Sequence, residues 1–268
     1  MVAASEAISE LVVRVRRDLR HTLRRRCSSQ PRLAVRMAAE VEVKLTIATL
    51  LIGVLLAHPS RAEAPRTVSF PTQDGGLIYA DEYGKGDCGV VLAHGARFNK
   101  ESWKKQAETL AAAGFRVLAI DFRGYGKSRG PGQADPLSAP LRFDVLAAVR
   151  YLRKTGARTV SVVGASMGGG AAADASIEAA PGEIDRLVLL AAWASGPPEK
   201  LKGRKLFIVS RDDVGDIPRL PKIRAQFERA PKPKELVILD GSAHAQFIFE
   251  TDQGERLMRE ILRFLSAP

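Results

Sequence analysis

Residues 162–170 read VVGASMGGG, a β-branched run that breaks into four glycines around one serine. Valines favour an extended strand, and glycines allow a corner too tight for side chains. The small-residue stretch GGGAAADASIEAA (168–180) reads as a helix. A strand that turns abruptly into a helix opens a βαβ unit, so this stretch commits its surroundings to a parallel sheet. It also leaves Ser166 on the corner, its hydroxyl lifted above the sheet at a helix N-terminus. Such a corner is either a glycine-rich connection and nothing more, or the seat of a nucleophile.

The chain from residue 65 onward repeats the alternation. TVSFPT (67–72) and GLIYADEYG (76–84) read as a hairpin across QDG. Strands are predicted at GVVLAHG (89–95), FRVLAIDFRG (115–124), TVSVVGAS (159–166), IDRLVLLAAWA (184–194), RKLFIVS (204–210) and KELVILDG (234–241). Helices are predicted at ESWKKQAETLAAAG (101–114), LRFDVLAAVRYLRKTG (141–156), residues 168–180, RLPKIRAQFERA (219–230) and GERLMREILRFLSAP (254–268). The first two of these close on a glycine, a favourable C-terminal stop. The pattern predicts one α/β domain over 65–268: a mostly parallel sheet with helices on both faces and antiparallel strands at the N-terminal edge. Only residues 194–203 separate Trp193 from the strand at Arg204, which leaves no room for a sizeable cap.

The first quarter of the chain is of another kind. LTIATLLIGVLLA (45–57) is an apolar run behind Lys44, followed by HPSRAEA with small residues at Ser60, Ala62 and Ala64. That is the pattern of a secretory signal peptide, and the run is shorter than the roughly 20 residues that span a bilayer. Residues 1–64 therefore read as a leader, cut after Ala62, with a secreted or periplasmic domain beyond it. The alternative is an uncleaved anchor through 45–57, which would be the chain's contact with a membrane. Upstream, Ile8, Leu11, Val12, Val15, Leu19 and Leu23 fall at helical spacing among arginines, as in a basic amphipathic helix. The other reading places the true start at Met37. The formal net charge is +11, and residues 1–64 hold almost half of it. No basic stripe interleaved with aromatics follows, so nucleic acid is not an expected partner. Cys27 and Cys88 form no CxxC and no His/Cys cluster, and no metal site is expected.

Gly164-Ala-Ser166-Met-Gly168 fits G-x-S-x-G between a strand and a helix, the setting in which that pattern carries a nucleophile. A serine needs a base, and beyond the leader the chain has two histidines, His94 and His244. His244, in LDGSAHAQF, follows the last strand at the carboxyl edge of the sheet, where sites of open α/β sheets assemble; it is the predicted general base. His94 closes VVLAHG and reads as a hydrogen-bonded structural residue. The carboxylate that orients the base is sought in RDDVGD, after the strand LFIVS, since no acid lies between Asp185 and Glu199. Asp213, three residues past the strand, is preferred, with Asp212 as the fallback. The order Ser166, Asp213, His244 is nucleophile, acid, base. The developing oxyanion would take backbone N–H groups from Met167 and Ala96. Phe98, Trp193 and Phe247 are predicted to line a substrate pocket, and Trp103 to belong to the core.

Four signals stand in this order: AHGA followed by Arg-Phe-Asn, DFRGYGKS (121–128), GASMGG, and a late Asp with GSAH. Together they resemble the α/β-hydrolase superfamily over essentially all of residues 67–268. Within it the chain is most similar to small bacterial lidless serine hydrolases of the dienelactone-hydrolase-like or serine-aminopeptidase-like kind. It departs from true dienelactone hydrolases, which carry a cysteine where Ser166 stands, and it lacks the His-Gly-Gly-Gly stretch of hormone-sensitive-lipase relatives. The resemblance implies an α/β-hydrolase fold in which DFRGYGKS is a structural loop near the site. It also implies a serine hydrolase that works through an acyl-enzyme and needs no metal or organic cofactor; because nothing in the sequence supplies a lid or a long acyl groove, small to medium carboxylic esters are the expected substrates. A small peptidase or amidase would use the same three residues, and a non-catalytic binding protein would share the same fold. No motif speaks to oligomeric state.

Overall fold

The computed structural model describes residues 64–132, 135, 138–215 and 217–267. The leader readings, apart from residue 64, lie outside them. Among the described residues eight strands form one sheet: β1 (Arg66–Pro71), β2 (Leu77–Tyr83), β3 (Cys88–Ala93), β4 (Arg116–Ile120), β5 (Thr159–Ala165), β6 (Arg186–Leu190), β7 (Arg204–Ser210) and β8 (Lys234–Leu239). Their spatial order is β1-β2-β4-β3-β5-β6-β7-β8. The β1–β2 and β2–β4 pairs are antiparallel, and every pair from β4 to β8 is parallel. The expected antiparallel edge is therefore present, and the hairpin turns at residues 72–76. The helices are α1 (Lys104–Ala112), α2 (Arg142–Lys154), α3 (Met167–Glu178), α4 (Arg219–Arg229) and α5 (Gly254–Ser266).

The β-branched and leucine-rich strands are buried on both sides, as parallel strands covered by helices must be. Val90, Val91, Val160, Val162, Leu187, Val188, Leu206 and Phe207 are wholly excluded from solvent. Each such side chain contributes about 1.5–3 kcal/mol of burial free energy. From β3 the chain passes through α1 to β4 on one side, then crosses through α2 to β5 on the other. Right-handed crossovers put α1 on one face and α2, α3 and α4 on the opposite face, where α2 packs on α3. The loops leaving β3 and β5 lead to helices on opposite faces, so the strand order reverses here, at the carboxyl edge of the sheet.

Two differences from the predicted elements have clear causes. The helix expected from residue 101 begins at Lys104, after a 3₁₀ turn over Lys100–Trp103. Asn99 caps that turn, its side-chain oxygen accepting the Ser102 N–H at 3.2 Å. Trp103 is 1% exposed and meets Phe249 edge-on, with ring centroids 5.9 Å apart, which makes it a core residue. The strand expected to run to residue 194 stops at Leu190, where Ala191 turns to φ 49°. Between β6 and β7 the chain makes one 3₁₀ turn, Pro198–Lys200, and no cap.

The loop 121–128 is braced by a buried ion network. Arg123 donates through Nε and Nη2 to Asp144 on α2, at 2.8 and 2.6 Å, and through Nη1 and Nη2 to Asp74 in the hairpin turn, at 2.6 and 2.9 Å. Asp144 is fully buried and Arg123 nearly so. Hydrogen bonds from Arg123, the largest favourable influence on it, hold the Asp74 carboxyl down at about 2. The network ties the antiparallel edge to the middle of the sheet.

The start of α3 is set by close backbone approach. A Cβ at residue 168 would fall 2.3 Å from the Ala93 carbonyl and 2.5 Å from that of His94, the residues that leave β3. A Cβ at residue 164 would fall 2.5 Å from the Gly168 carbonyl, and one at 169 only 2.4 Å from the Ala192 Cβ. Gly170 is different, since its nearest neighbour would be the Trp193 carbonyl at 3.5 Å, an ordinary contact. We expect Gly168→Ala to cost at least about 3 kcal/mol through overpacking and Gly170→Ala to add about 0.5–1 kcal/mol of helix stability. Urea unfolding of the two variants beside the parent checks both signs.

Candidate active site

Ser166 sits at φ 51°, ψ −116°, between the end of β5 and the first turn of α3. This is a sparsely populated conformation for a residue with a side chain, and the surrounding structure has to impose it. The constraint is visible on both sides: Ser166 N–H donates to the Leu190 carbonyl at 2.9 Å, and the Ser166 carbonyl accepts the Gly170 N–H at 2.9 Å. The hydroxyl is thereby held above the sheet edge at the positive end of α3.

His244 follows β8 in a loop that is stitched to the loop after β7. Arg211 N–H donates to the Leu239 carbonyl at 2.8 Å, Asp212 N–H to Gly241 at 3.0 Å, and Ser210 Oγ–H to Ala243 at 2.7 Å. These bonds set the acid-bearing loop against the histidine-bearing loop. His244 Nδ1 lies 2.7 Å from Asp213 Oδ2, and His244 Nε2 lies 2.8 Å from Ser166 Oγ. A carboxylate only accepts, so the partners assign the ring proton to Nδ1 and leave the Nε2 lone pair facing the serine hydroxyl. Of the two neighbouring acids, Asp213 is buried and turned inward while Asp212 is exposed. The other oxygen of Asp213 accepts from Arg219 Nε at 3.1 Å. The Arg219 guanidinium in turn lies 5.8 Å from the centroid of the Trp193 ring.

Met167 is the first residue of α3, so its N–H has no acceptor within the helix. Ala96 lies on the loop that leaves β3. The peptide that carries its N–H is oriented from behind: the Gly95 carbonyl accepts from His94 Nδ1 at 2.8 Å and from Phe98 N–H at 3.0 Å. In a planar trans peptide the N–H points away from the carbonyl, so the Ala96 N–H is directed away from the His94 ring and the Phe98 N–H. The Ala96 carbonyl accepts from the Tyr125 hydroxyl at 2.8 Å. Tyr125 belongs to DFRGYGKS, so that loop reaches the candidate site through packing and through this hydroxyl, which also lies 3.8 Å from Met167 Sδ.

His94 itself is completely buried. Its Nε2 accepts the Phe122 N–H at 3.3 Å, which leaves the proton on Nδ1, and its ring packs edge-on against Phe122 and Tyr125. Burial, the dominant influence, pushes its pKa down to about 4. The geometry is that of a neutral structural histidine. Phe98 and Phe247 adjoin one another with centroids 4.9 Å apart. Trp193 lines a hollow with Ser195, Pro197, Lys222, Gln226 and Arg229, and the Lys222 ammonium lies 4.1 Å from its ring centroid.

Two polar neighbours of the site, Arg219 and Gln246, were not singled out from the sequence. Nothing marks Arg219 among the many basic residues of its helix. Gln246 carries a weak mark, a polar residue in the otherwise apolar run Ala245–Phe249. Among the described residues no three His, Cys, Asp or Glu side chains gather in a way that would hold a metal ion, and no helix is long and apolar enough to cross a membrane.

Residues 90–213 match the family model described as alpha/beta hydrolase fold. The chain is 39% identical over 88 residues to a bifunctional epoxide hydrolase of Sus scrofa, a stretch that is 33% of this chain and 15% of that protein. It is 33% identical over 132 residues to a non-heme chloroperoxidase of Streptomyces lividans (49% and 45%). It is 34% identical over 136 residues to a 2-hydroxy-6-oxononadienedioate/2-hydroxy-6-oxononatrienedioate hydrolase of Cupriavidus pinatubonensis (48% and 46%). The matched stretches span less than half of each of these relatives. An esterase of Pyrococcus furiosus superposes with TM-score 0.63 at 20% identity, over 76% of this chain and 94% of that one. A dienelactone hydrolase of Anabaena variabilis superposes with TM-score 0.61 at 21% identity, over 75% and 97%. At these identities the superpositions carry the fold alone.

The buried imidazole makes stability depend on pH. Its folded value of about 4 lies below the ordinary 6.5, so the unfolded chain binds the extra proton first. The stabilising contribution is complete above pH 6.5 and is lost as pH falls from there toward 4, about 3 kcal/mol in all. Denaturant unfolding at several pH values should show this slope between 6.5 and 4, and His94→Gln should flatten it.

Proposed function

The chain is an α/β-hydrolase-fold protein, and from that premise we propose that it is a serine hydrolase that cleaves small to medium carboxylic esters through an acyl-enzyme. The observation that carries this reading is the unbroken line from Ser166 Oγ through His244 to Asp213, with contacts of 2.8 and 2.7 Å. His244 Nε2 takes the hydroxyl proton as Ser166 Oγ bonds to the ester carbonyl carbon. Asp213 holds the Nδ1–H and stabilises the imidazolium that forms. The carbonyl oxygen becomes an oxyanion facing the N–H groups of Met167 and Ala96, each worth about 3 kcal/mol of barrier. Collapse expels the alcohol, which takes the proton from His244. Water, deprotonated by the same nitrogen, then releases the carboxylic acid and restores Ser166.

Several features support the reading beyond the three side chains. The strained serine is costly, and a binding module gains nothing from it. The stretch that matches the alpha/beta hydrolase fold model, residues 90–213, includes Ser166 and Asp213. Phe98 and Phe247 would offer an apolar wall for the acyl or alcohol group. The slot between β6 and β7 carries no cap, which favours compact substrates that reach the serine from solvent. An export signal over 45–57 would place this chemistry outside the cytoplasm, and N-terminal sequencing of protein recovered from the secreted or periplasmic fraction should then begin at Glu63.

A fluorophosphonate probe should label Ser166 and fail on Ser166→Ala. Asp213→Asn should lower kcat on p-nitrophenyl esters by about 10³–10⁴-fold, whereas Asp212→Asn should remain within about twofold. Higher kcat/KM on aminoacyl anilides than on esters would replace the esterase with an amidase. An unlabelled, well-folded protein would return the site to a binding role.

A further inference from the structure

Gln246 lies two residues past His244, and its side chain joins two loops that the proposed chemistry needs in register. It is 5% exposed. Its Oε1 accepts the Gly95 N–H at 2.7 Å, and its Nε2 donates to Ser102 Oγ at 3.0 Å. Ser102 Oγ–H passes the direction on to the Asn99 carbonyl at 2.5 Å. A backbone N–H only donates, so the amide oxygen must face Gly95 and the amide nitrogen Ser102. Both ends of a buried amide are thus satisfied, and both partners lie on the single stretch that follows β3.

The position of this side chain is itself imposed. Ala245, between His244 and Gln246, is buried and sits at φ 51°, in the left-handed region that disfavours residues with a side chain. That turn directs His244 toward Ser166 on one side and Gln246 into the loop after β3 on the other. The Gly95 N–H is consumed by this bond, so it is not free to meet an oxyanion. The next N–H along the chain, that of Ala96, is left to do so. Residues 95–96 are then held from three elements at once: Gln246 on the Gly95 N–H, His94 on the Gly95 carbonyl, and Tyr125 on the Ala96 carbonyl.

Resting on the reading of Ser166, His244 and Asp213 as catalytic, we propose that Gln246 is a positioning residue. It locks the loop that carries the second oxyanion donor to the loop that carries the general base. Because it touches neither substrate nor reacting atoms, its loss weakens the transition state more than the bound substrate. A displacement of about 1 Å in such a donor is enough to cost up to about a hundredfold in rate.

The experiment compares the parent with Gln246→Met, which keeps length without polar ends, and with Gln246→Glu, which keeps an acceptor for Gly95. On a p-nitrophenyl ester, Gln246→Met should lose about 10- to 100-fold in kcat with KM within about threefold. Gln246→Glu should recover part of that loss. Amide hydrogen exchange over residues 95–98 should be at least about tenfold faster in Gln246→Met. A folded Gln246→Met with kcat within about threefold of the parent overturns the proposal, as does unchanged exchange at 95–98. If Gln246→Met does not fold, Ser102→Ala, which cuts the outer end of the tether, must lower kcat several-fold; an unchanged kcat there overturns the proposal equally. Failure of the parent to take a fluorophosphonate on Ser166 removes the catalytic reading instead, and the exchange comparison then still decides whether Gln246 holds the loop.

Discussion

The carbonyl oxygens of Ala93 and His94 occupy the space where residue 168 would carry its first side-chain atom. This single exclusion orders much of what lies around it. It lets α3 begin against the exit of β3 with no gap, which brings the N-terminal turn of the helix beside the loop at 95–96. Gly164 and Gly169 serve the same approach from the strand and from the second turn. With the backbones so close, the one residue between strand and helix cannot relax, and Ser166 takes up the strain. Three adjacent glycines would make a poor helix by propensity. The helix stands because its small residues, Ala171, Ala172, Ala173, Ala175 and Ser176, are buried between the sheet and α2.

Strain of this kind collects where the chain leaves the sheet. Among the described residues with side chains, Ser166, Ala191 and Ala245 have positive φ. The first two are strand exits at β5 and β6, and the third follows His244. Each re-aims the chain at the carboxyl edge. The polar groups there are matched to them: Asp213 is divided between His244 and Arg219, His94 spends both ring nitrogens on backbone, and Gln246 spends both ends of its amide. A low-dielectric rim tolerates such groups only when their partners are in place. The same network holds His244 Nε2 at 2.8 Å from Ser166 Oγ, beside the first turn of α3.

The relatives span epoxide hydrolases, chloroperoxidases and a hydrolase of dicarboxylate substrates, while the superposed structures include an esterase and a dienelactone hydrolase. One fold hosts all of these, so the fold by itself cannot choose among them. The local character of this chain lies in the side chains at its rim and in a β6–β7 connection that holds one 3₁₀ turn and no cap. The basic hollow around Trp193, with Lys222 above the ring and Arg219 bridging to Asp213, is part of that local character.

The alternation of elements was legible in the sequence because the two periodicities, 2 for strands and 3.6 for helices, are written in local composition. Glycines at 114 and 156 mark where the first two helices stop. The serine corner was legible for the same reason: its glycines are adjacent in the chain, although the atoms that demand Gly168 belong to β3. The order serine, acid, histidine could be read once parallel strands were assumed, since their carboxyl ends must lie on one edge. Only the folded chain decided that Asp213 and not Asp212 turns inward, that Phe98 meets Phe247, and that Gln246 holds the N–H of Gly95, a residue 151 positions away. Local sequence sets backbone preference over a few residues. Which side chains meet across loops depends on where six strand ends come to rest beside one another, and that is a property of the whole sheet.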